Sequence, residues 1–346
     1  MSGERPDLRA IRAAVERQRY RVTPGVGDMA RYHADQVLDE SHREVLGPLL
    51  PASGASGVVQ YGGVVVAEWG NAAVPEMAYS VTKSVVSVVA GVAARTGVLA
   101  DVRAPVSDSV DLPEFSDGPA RRVTWEHLLQ QTSQWEGQLW GKPAAADAQS
   151  RRPGTRPGTA EPGSGWAYND VRVNLLCLAL TALLGASLPE VLRESVLEPL
   201  GASHTWQWHG YPNSFTTVDG RRIPVVSGGA HWGGGLFVSA HDLALLGRLL
   251  VLRGRWRGQP LIEDDWITRS WQSCPVKPDY GYLWWLNRER RIFPEAPATG
   301  VCARGNRSRH VLWLDPARDL VIAAHWSPGI GEFIGEVSRS LPARRA

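Results

Sequence analysis

The chain has 346 residues and a formal net charge of only +2, which argues against a nucleic acid or an acidic membrane surface as its partner. Hydrophobic residues make up 43% of the chain and charged residues 21%, as in a globular protein with a sizeable core. Three cysteines without Cys-x-x-Cys spacing indicate neither a disulfide framework nor a zinc site.

The N-terminal segment, residues 1–7, is charged and lacks the apolar core of a secretory signal. The longest apolar stretches of the chain are also too short to span a bilayer. We therefore expect a cytoplasmic protein without a membrane partner.

The first third of the chain predicts helices followed by a hairpin. Residues 8–45 are polar, with apolar residues at helical spacing. Within them, residues 25–30 (GVGDMA) mimic a dinucleotide fingerprint, but they follow Pro24 rather than a strand, so no nucleotide site is predicted. Two β-rich runs, residues 57–61 and 64–70, flank a glycine pair and predict an antiparallel hairpin.

The hairpin is followed by residues 79–84 (YSVTKS), which open a long apolar run. Residues three apart share one face of a helix, so the Ser80 hydroxyl and the Lys83 amine can meet one turn apart. The N–H groups at a helix N-terminus favour an alkoxide, and we expect burial to lower the pKa of Lys83 towards a neutral amine. A serine and a lysine placed in this way form the Ser-x-x-Lys motif.

The middle of the chain is predicted to be mostly helical and the end to return to strands. Residues 141–165 are rich in Pro, Gly, Ala and Arg and predict a surface loop or active-site flap, and residues 211–235 are glycine-rich and predicted to be irregular. The predicted helices are residues 124–129, 170–184, 189–197 and 242–252, with a closing helix at 334–341. The predicted late strands are residues 280–286, 310–314 and 320–326.

Strands at both ends can join one antiparallel sheet while the middle forms a separate lobe. We therefore predict an α/β (α+β) fold in which residues 1–95 and 240–346 form a sheet domain flanked by terminal helices. Residues 96–239 are predicted to form an inserted, mostly helical domain. A cleft between the two domains, at the start of the Ser80 helix, is the predicted active site.

Five segments, in order, resemble motifs of the serine β-lactamase and penicillin-binding-protein superfamily, in its class C-like esterase branch. They are residues 68–70 (EWG) at the end of the hairpin, 79–84 (YSVTKS), 128–133 (LLQQTS), 166–170 (WAYND) and 231–243 (HWGGGLFVSAHDL). The resemblance covers roughly residues 57 to 326. It implies a β-lactamase/transpeptidase-like fold and acyl-enzyme chemistry without a metal or organic cofactor.

The resemblance also implies roles for individual residues. Ser80 would be the nucleophile, and Lys83 and Tyr168 would share its proton, with the primary base left open. The oxyanion hole would combine the Ser80 N–H with a backbone N–H from a strand near the C-terminus. The candidate substrate-binding residues are Asn169, Asp170, Trp232, Arg304 and Gly305. For Trp232, which precedes three glycines, a wall of the substrate site and tight packing both stay open.

Two departures from the family pattern bear on the substrate. Asp170 stands where class C β-lactamases have asparagine. The family's Lys-Thr-Gly motif, whose lysine helps bind the penicillin carboxylate, is missing from residues 299–305, where Arg304 is a candidate source of positive charge. Both departures argue against efficient β-lactam hydrolysis.

We therefore expect a serine acyl-enzyme hydrolase or transacylase that acts through Ser80 on an ester or amide of a small metabolite. One alternative is a transacylase that forms an amide from an ester and an amine acceptor in secondary-metabolite biosynthesis. An alternative of another class is a catalytically silent binding protein that uses the same cleft. No nucleic acid, cofactor or metal is expected in any of these cases.

Overall fold

The computed structural model describes residues 5–37, 40–147 and 160–343. The α-helices are α1 Leu8–Gln18, α2 Met29–Ala34, α3 Val81–Arg95, α4 Trp125–Leu129, α5 Asp170–Leu184, α6 Leu188–Leu192, α7 Glu198–Leu200, α8 Ala240–Val251, α9 Asp264–Ser270 and α10 Ile330–Arg339. The strands are β1 Ser56–Tyr61, β2 Val64–Trp69, β3 Glu76–Met77, β4 Gln138–Leu139, β5 Lys142–Pro143, β6 Gln207–Val218, β7 Arg221–Val226, β8 Gly235–Val238, β9 Arg255–Trp256, β10 Gln259–Pro260, β11 Trp285–Leu286, β12 Val301–Gly305, β13 His310–Asp315 and β14 Leu320–His325.

Both ends of the chain build one antiparallel sheet of six strands, in the order β11-β12-β13-β14-β1-β2. Strand β1 pairs with β14, so that Val58 lies opposite Ala323. Side chains of β14 alternate between two cores: Ile322 faces α1 and α10, whereas Val321 and Ala323 face the helices of the other side. Because both faces are covered, β14 is apolar almost throughout. The predicted α+β architecture is confirmed.

Helix α3 runs through the centre of the molecule and is buried from Val81 to Ala93. It contacts α5, α6, α9 and strand β12, so both the sheet and the helical layer fix its position. Gly91 lets a neighbouring ring approach closely, since a Cβ at this position would lie 2.6 Å from a carbon of Trp266. The N-terminus of this fixed helix carries Ser80.

A second sheet has four strands, in the order β3-β8-β6-β7. The irregular structure predicted for residues 211–235 is therefore wrong for residues 211–226, most of which belong to β6 and β7, and is confirmed for residues 227–234, which lie in no strand or helix. Strand β6 continues through Gly210 and Pro212 with a register shift between Gly210 and Phe215. The predicted strand at residues 280–286 was also mostly wrong, because only Trp285–Leu286 pairs with β12.

The predicted division at residues 96 and 239 stays a prediction. One continuous hydrophobic core contains Val86 and Leu312, which the division assigns to the sheet domain, together with Leu176 of the predicted insertion. Strand β3 before the boundary also pairs with β8 inside the predicted insertion. Residues 148–159 of the predicted flap lie outside the described residues, and its described beginning forms β5 and a short 3-10 helix, Ala144–Ala146.

Helix α5 is apolar and buried along most of its length. Among the described residues, no single helix is both long and apolar enough to cross a membrane. Within the described ranges, one bent pair, Asp170–Leu184 together with Leu188–Leu200 at an angle of 73°, is long and apolar enough, by length and composition alone.

Candidate active site

Ser80 occupies the position just before the first residue of α3, and its hydroxyl makes no capping bond to the helix. The preceding residue, Tyr79, has a left-handed backbone with a φ of 51°. The N–H groups of the first three helical residues donate to the carbonyls of residues 78–80. The Ser80 N–H has no hydrogen-bond acceptor in the described part of the chain. Ser80 therefore offers both a hydroxyl and an N–H at a helix N-terminus.

Lys83 lies one helical turn beyond Ser80, as the spacing predicts. Its Nζ donates to Ser80 Oγ at 3.0 Å and to Asp170 Oδ1 at 2.6 Å. The side chains of Lys83 and Asp170 are only 1% and 5% exposed, so this is a buried ion pair. The expected contact between Ser80 and Lys83 is present, with a carboxylate behind it.

The expectation that burial leaves Lys83 as a neutral amine is wrong. Burial does oppose the ammonium, but the negative charge of Asp170 and the nearby Tyr168 outweigh it, so the pKa of Lys83 is raised. The pKa of Asp170 is lowered: burial raises it, but the charge of Lys83, His231 and the hydrogen bonds from both residues together lower it by more. Lys83 rests as an ammonium and Asp170 as a carboxylate.

Tyr168 completes the set of groups around the Ser80 hydroxyl. Hydrogen bonding with Ser80 and Lys83 acts to lower the pKa of its hydroxyl, and the Lys83 Nζ lies 4.8 Å from the centre of its ring. Burial raises the pKa of Tyr168, and the Lys83 ammonium offsets only part of this. Tyr168 therefore rests as a phenol. The ring of Trp285 packs against it at a centroid distance of 5.8 Å.

The two residues after Tyr168 have different surroundings. Asn169 is buried outside the cavity lining and caps α5, its Oδ1 accepting from the Arg172 N–H at 2.9 Å. Asp170 points into the site, and its Oδ2 accepts from the His231 N–H at 3.2 Å. Its backbone N–H donates to Asp147 Oδ2 at 2.8 Å.

Strand β12 runs beside the nucleophile. A Cβ added to Gly305 would stand 2.8 Å from the Ser80 nitrogen, so the strand backbone lies directly against the Ser80 N–H. The neighbouring Arg304 lines the same cavity and places its guanidinium 4.2 Å from the centre of the Trp285 ring. Arg304 forms no ion pair with the described carboxylates.

Trp232 does not line the cavity. Its side chain is fully buried, and its indole N–H donates to the His42 carbonyl at 2.8 Å. The three glycines after it all have positive φ values, and a Cβ at Gly233 would stand 2.4 Å from the Gly47 carbonyl oxygen. The glycines therefore allow tight backbone packing at this place.

These side chains surround a cavity of about 560 Å³. Further residues that line it are His33, Asp147, Trp166, His231, Trp285 and Asn306. His231 is the first residue of the motif at 231–243, and Trp285 lies in a predicted strand, whereas His33 and Asp147 stand in no recognisable motif. No group of three or more metal-ligating side chains is gathered in the described ranges.

The arrangement has the parts that acyl transfer requires. A hydroxyl at a helix N-terminus contacts an amine, a phenol lines the same cavity, and a strand backbone borders the N–H of the serine. A buried carboxylate holds the amine in place.

Comparison with known proteins gives one family match and several structural neighbours. A family model described as Beta-lactamase matches residues 13–327. A protein of Salmonella newport, provisionally named a D-alanyl-D-alanine carboxypeptidase, is 22% identical over 197 residues, or 47% of this chain. The match spans only 45% of that relative's length, so the chain corresponds to about half of it.

Three solved structures resemble the fold over most of both chains. A β-lactamase from Mycobacterium bovis is 19% identical, with a TM-score of 0.57 over 85% of this chain and 96% of its own. A penicillin-binding protein homologue from Caulobacter crescentus is 18% identical, with a TM-score of 0.59 over 93% and 99%. EstCE1, a hydrolase with promiscuous acyltransferase activity, is 15% identical, with a TM-score of 0.60 over 96% and 98%. At these identities the likeness concerns the fold.

Proposed function

The chain belongs to the β-lactamase family, as its motifs predict, and from that premise we propose that it is a serine hydrolase that forms an acyl-enzyme at Ser80. Its substrate is an ester or amide of a small metabolite. The observation that carries the proposal is the 3.0 Å contact of the Ser80 hydroxyl with Lys83 Nζ, in a cavity that the Tyr168 phenol also lines.

Each group has a role in the proposed reaction. Ser80 Oγ attacks the carbonyl carbon, and the carbonyl oxygen is bound by the Ser80 N–H together with backbone N–H groups at the end of β12. Lys83 and Tyr168 transfer the proton between Ser80 and the leaving group. Water then takes the acyl group from Ser80, and the same residues carry the protons in the opposite direction.

The cavity supports a small substrate. A volume of about 560 Å³ falls within the range of small-molecule sites. Arg304 contributes a cation to the cavity, although the strand carries no Lys-Thr-Gly motif. We propose that these differences make an ester or amide metabolite, rather than a penicillin, the preferred substrate.

A second candidate is transfer of the acyl group to an amine or alcohol. The rings of Trp166, Tyr280 and Trp285 pack around Tyr168 and form an aromatic wall beside the nucleophile. Such a wall limits water and offers a surface to an apolar acceptor. The promiscuous acyltransferase activity of EstCE1 is consistent with this alternative.

The experiment that tests the proposal is mass spectrometry of the intact protein after exposure to a fluorophosphonate or a p-nitrophenyl ester. We expect one covalent adduct on the wild-type protein and none on Ser80→Ala. No adduct on the wild type contradicts the assignment and favours a catalytically silent binding protein, whereas an adduct that persists in Ser80→Ala contradicts it by showing that another residue is labelled. Offering the ester together with a panel of amines separates the two reactions, since free acid as the only product excludes transfer to those amines.

A further inference from the structure

We propose that Asp170 is a positioning residue that receives the Ser80 proton by way of Lys83. The inference rests on the proposed function, because it concerns proton transfer in the formation of the acyl-enzyme. It assigns to Asp170 a role other than the substrate binding expected from the sequence.

The first support is the geometry of the three groups. Lys83 Nζ lies between Ser80 Oγ at 3.0 Å and Asp170 Oδ1 at 2.6 Å, so one amine connects the nucleophile to the carboxylate. Both distances are within the range over which hydrogen-bonded groups exchange protons. The contacts form a direct proton path from Ser80 to Asp170.

The second support is how closely the fold encloses this pair. A Cβ added to Gly229 would stand 2.2 Å from Asp170 Oδ2 and 2.6 Å from Lys83 Nζ. Only a residue without a side chain leaves room for the ion pair here. The His231 N–H also donates to Asp170 Oδ2 at 3.2 Å, so both carboxylate oxygens are fixed.

The third support is the resting charge of the site. Burial lowers the pKa of Lys83, but the charge of Asp170 raises it. Lys83 therefore rests as an ammonium that cannot accept the Ser80 proton. Burial raises the pKa of Tyr168, which therefore rests as a phenol. Asp170 is then the basic group connected to Ser80 through Lys83. Among the other titratable groups around this pair, Asp147 acts on Lys83 and His231 acts on Asp170, whereas the pair in turn acts on Tyr211, Tyr280 and Cys177.

The proton balance follows from this starting state. As the bond between Ser80 Oγ and the substrate carbon forms, the Ser80 proton moves to Lys83, and Lys83 passes one proton to Asp170. The site then holds a neutral Asp170, an ammonium at Lys83 and a negative charge on the substrate oxygen. When the carbon–oxygen or carbon–nitrogen bond breaks, the proton returns from Asp170 through Lys83 to the leaving group. Lys83 thus stays positively charged next to the developing oxyanion.

The nearly isosteric Asp170→Asn variant tests this path. It keeps a hydrogen-bonding oxygen towards Lys83 but removes the negative charge, and so leaves burial as the main influence on the amine. The chain contains only three lysines (Lys83, Lys142 and Lys277), so labelling lysine with ¹³C at Cε gives three side-chain NMR signals. Lys142→Arg and Lys277→Arg assign two of them and identify Lys83.

We expect the Lys83 signal of the wild type to remain that of an ammonium from about pH 6 to about pH 10, and that of Asp170→Asn to titrate within this range. A wild-type Lys83 that titrates near neutral pH, or an unchanged titration in Asp170→Asn, overturns the proposal. His231→Gln keeps the backbone N–H that binds Asp170, and Asp147→Asn keeps an acceptor for the Asp170 N–H. In both, Lys83 should remain an ammonium.

The pH dependence of kcat/KM for a p-nitrophenyl ester gives the functional readout. In the wild type, kcat/KM should stay constant from neutral to acidic pH, because the lowered pKa of Asp170 keeps its carboxylate ionised there. In Asp170→Asn, the rate should be low at neutral pH and rise about tenfold per pH unit as Lys83 loses its proton, with kcat changing more than KM. A merely structural role predicts the same fractional loss at every pH.

Asp315→Asn is the matched control, because Asp315 is also a fully buried aspartate in an ion pair, with Arg318 at 2.9 Å, but lies outside the cavity. Its pH profile should match that of the wild type. Failure of this proposal is distinguishable from failure of the proposed function, because the covalent adduct tests Ser80 and the lysine titration tests Asp170. If Asp170→Asn still forms the covalent adduct but its pH profile is not shifted, Ser80 remains the nucleophile and the proposed role of Asp170 is rejected.

Discussion

Gly305 lies directly against Ser80, and a Cβ atom added to the glycine would stand 2.8 Å from the Ser80 nitrogen and 2.8 Å from the Ala78 carbonyl oxygen. Neither neighbour is the flexible end of a side chain, so the strand or the helix start would have to move. The absence of a side chain at Gly305 therefore sets the distance between β12 and the proposed oxyanion hole.

We predict that Gly305→Ala lowers kcat/KM for a p-nitrophenyl ester by about 100-fold, the typical effect of losing one oxyanion-hole donor. The φ of Gly305 lies outside the left-handed region, so alanine fits the local backbone and the loss arises from displacement. Gly27→Ala is the control, since no atom lies within 4 Å of its added Cβ. A Gly305→Ala enzyme with wild-type kcat/KM would show that this strand does not border the reacting carbonyl.

Gly229 plays the corresponding role behind the ion pair. We predict that Gly229→Ala lowers the free energy of unfolding by about 2 kcal/mol, because the new methyl group collides with Asp170 and Lys83. In an Asp170→Ala background the colliding carboxylate is absent, and the cost should fall by at least about 0.5 kcal/mol. Urea unfolding of the four proteins in this cycle measures the difference. Strictly additive effects would mean that the methyl group does not press on Asp170.

The local part of the site follows from sequence, and the non-local part does not. The contact between Ser80 and Lys83 depends only on helical periodicity, so residues three apart meet wherever the helix lies. The ion pair of Lys83 with Asp170 joins positions 87 residues apart, and no local pattern contains it. Without that partner, the effect of burial was given too much weight and the predicted charge of Lys83 was wrong.

The same distinction applies to the fold. The hairpin β1–β2 was predictable because the glycine pair that turns it has positive φ values and stands between two β-rich runs. Strand β6 was missed because its stability comes from pairing with β7 and β8 rather than from its own composition. His33 reaches the cavity from a helix near the N-terminus, and only the tertiary structure shows this.

Arg304 is the cation that we expect to select the substrate. We predict that Arg304→Ala raises KM at least about tenfold for an ester that carries a carboxylate, since hydrogen bonds between charged groups contribute about 1.5–3 kcal/mol. KM for a neutral ester of the same size should change less. Arg304→Lys should retain part of the preference, and Arg121→Ala, at an exposed position, is the surface control. An equal rise in KM for both esters would indicate that Arg304 supports the Trp285 ring rather than a substrate charge.

A buried histidine pair predicts how stability depends on pH. His310 and His325 are fully buried, and their Nδ1 atoms lie 3.0 Å apart, so only one of these two atoms carries a proton. Burial lowers the pKa of His325 to about 3, and burial together with His325 lowers that of His310 well below its ordinary value. The folded protein therefore keeps both rings neutral at pH values where the unfolded chain protonates them.

Stability should accordingly be constant above the ordinary histidine pKa and fall as the pH drops below it towards the folded-state values. From pH 7 to pH 5, His325 alone should account for a loss of about 2 kcal/mol in the free energy of unfolding. We predict that His325→Gln, which cannot take up a proton in the unfolded state, loses about 2 kcal/mol less than the wild type over this interval. Urea unfolding followed by tryptophan fluorescence at both pH values measures this, with His204→Gln at an exposed position as the matched control. If His325→Gln and His204→Gln lose the same stability, the buried pair is not the source of the acid sensitivity.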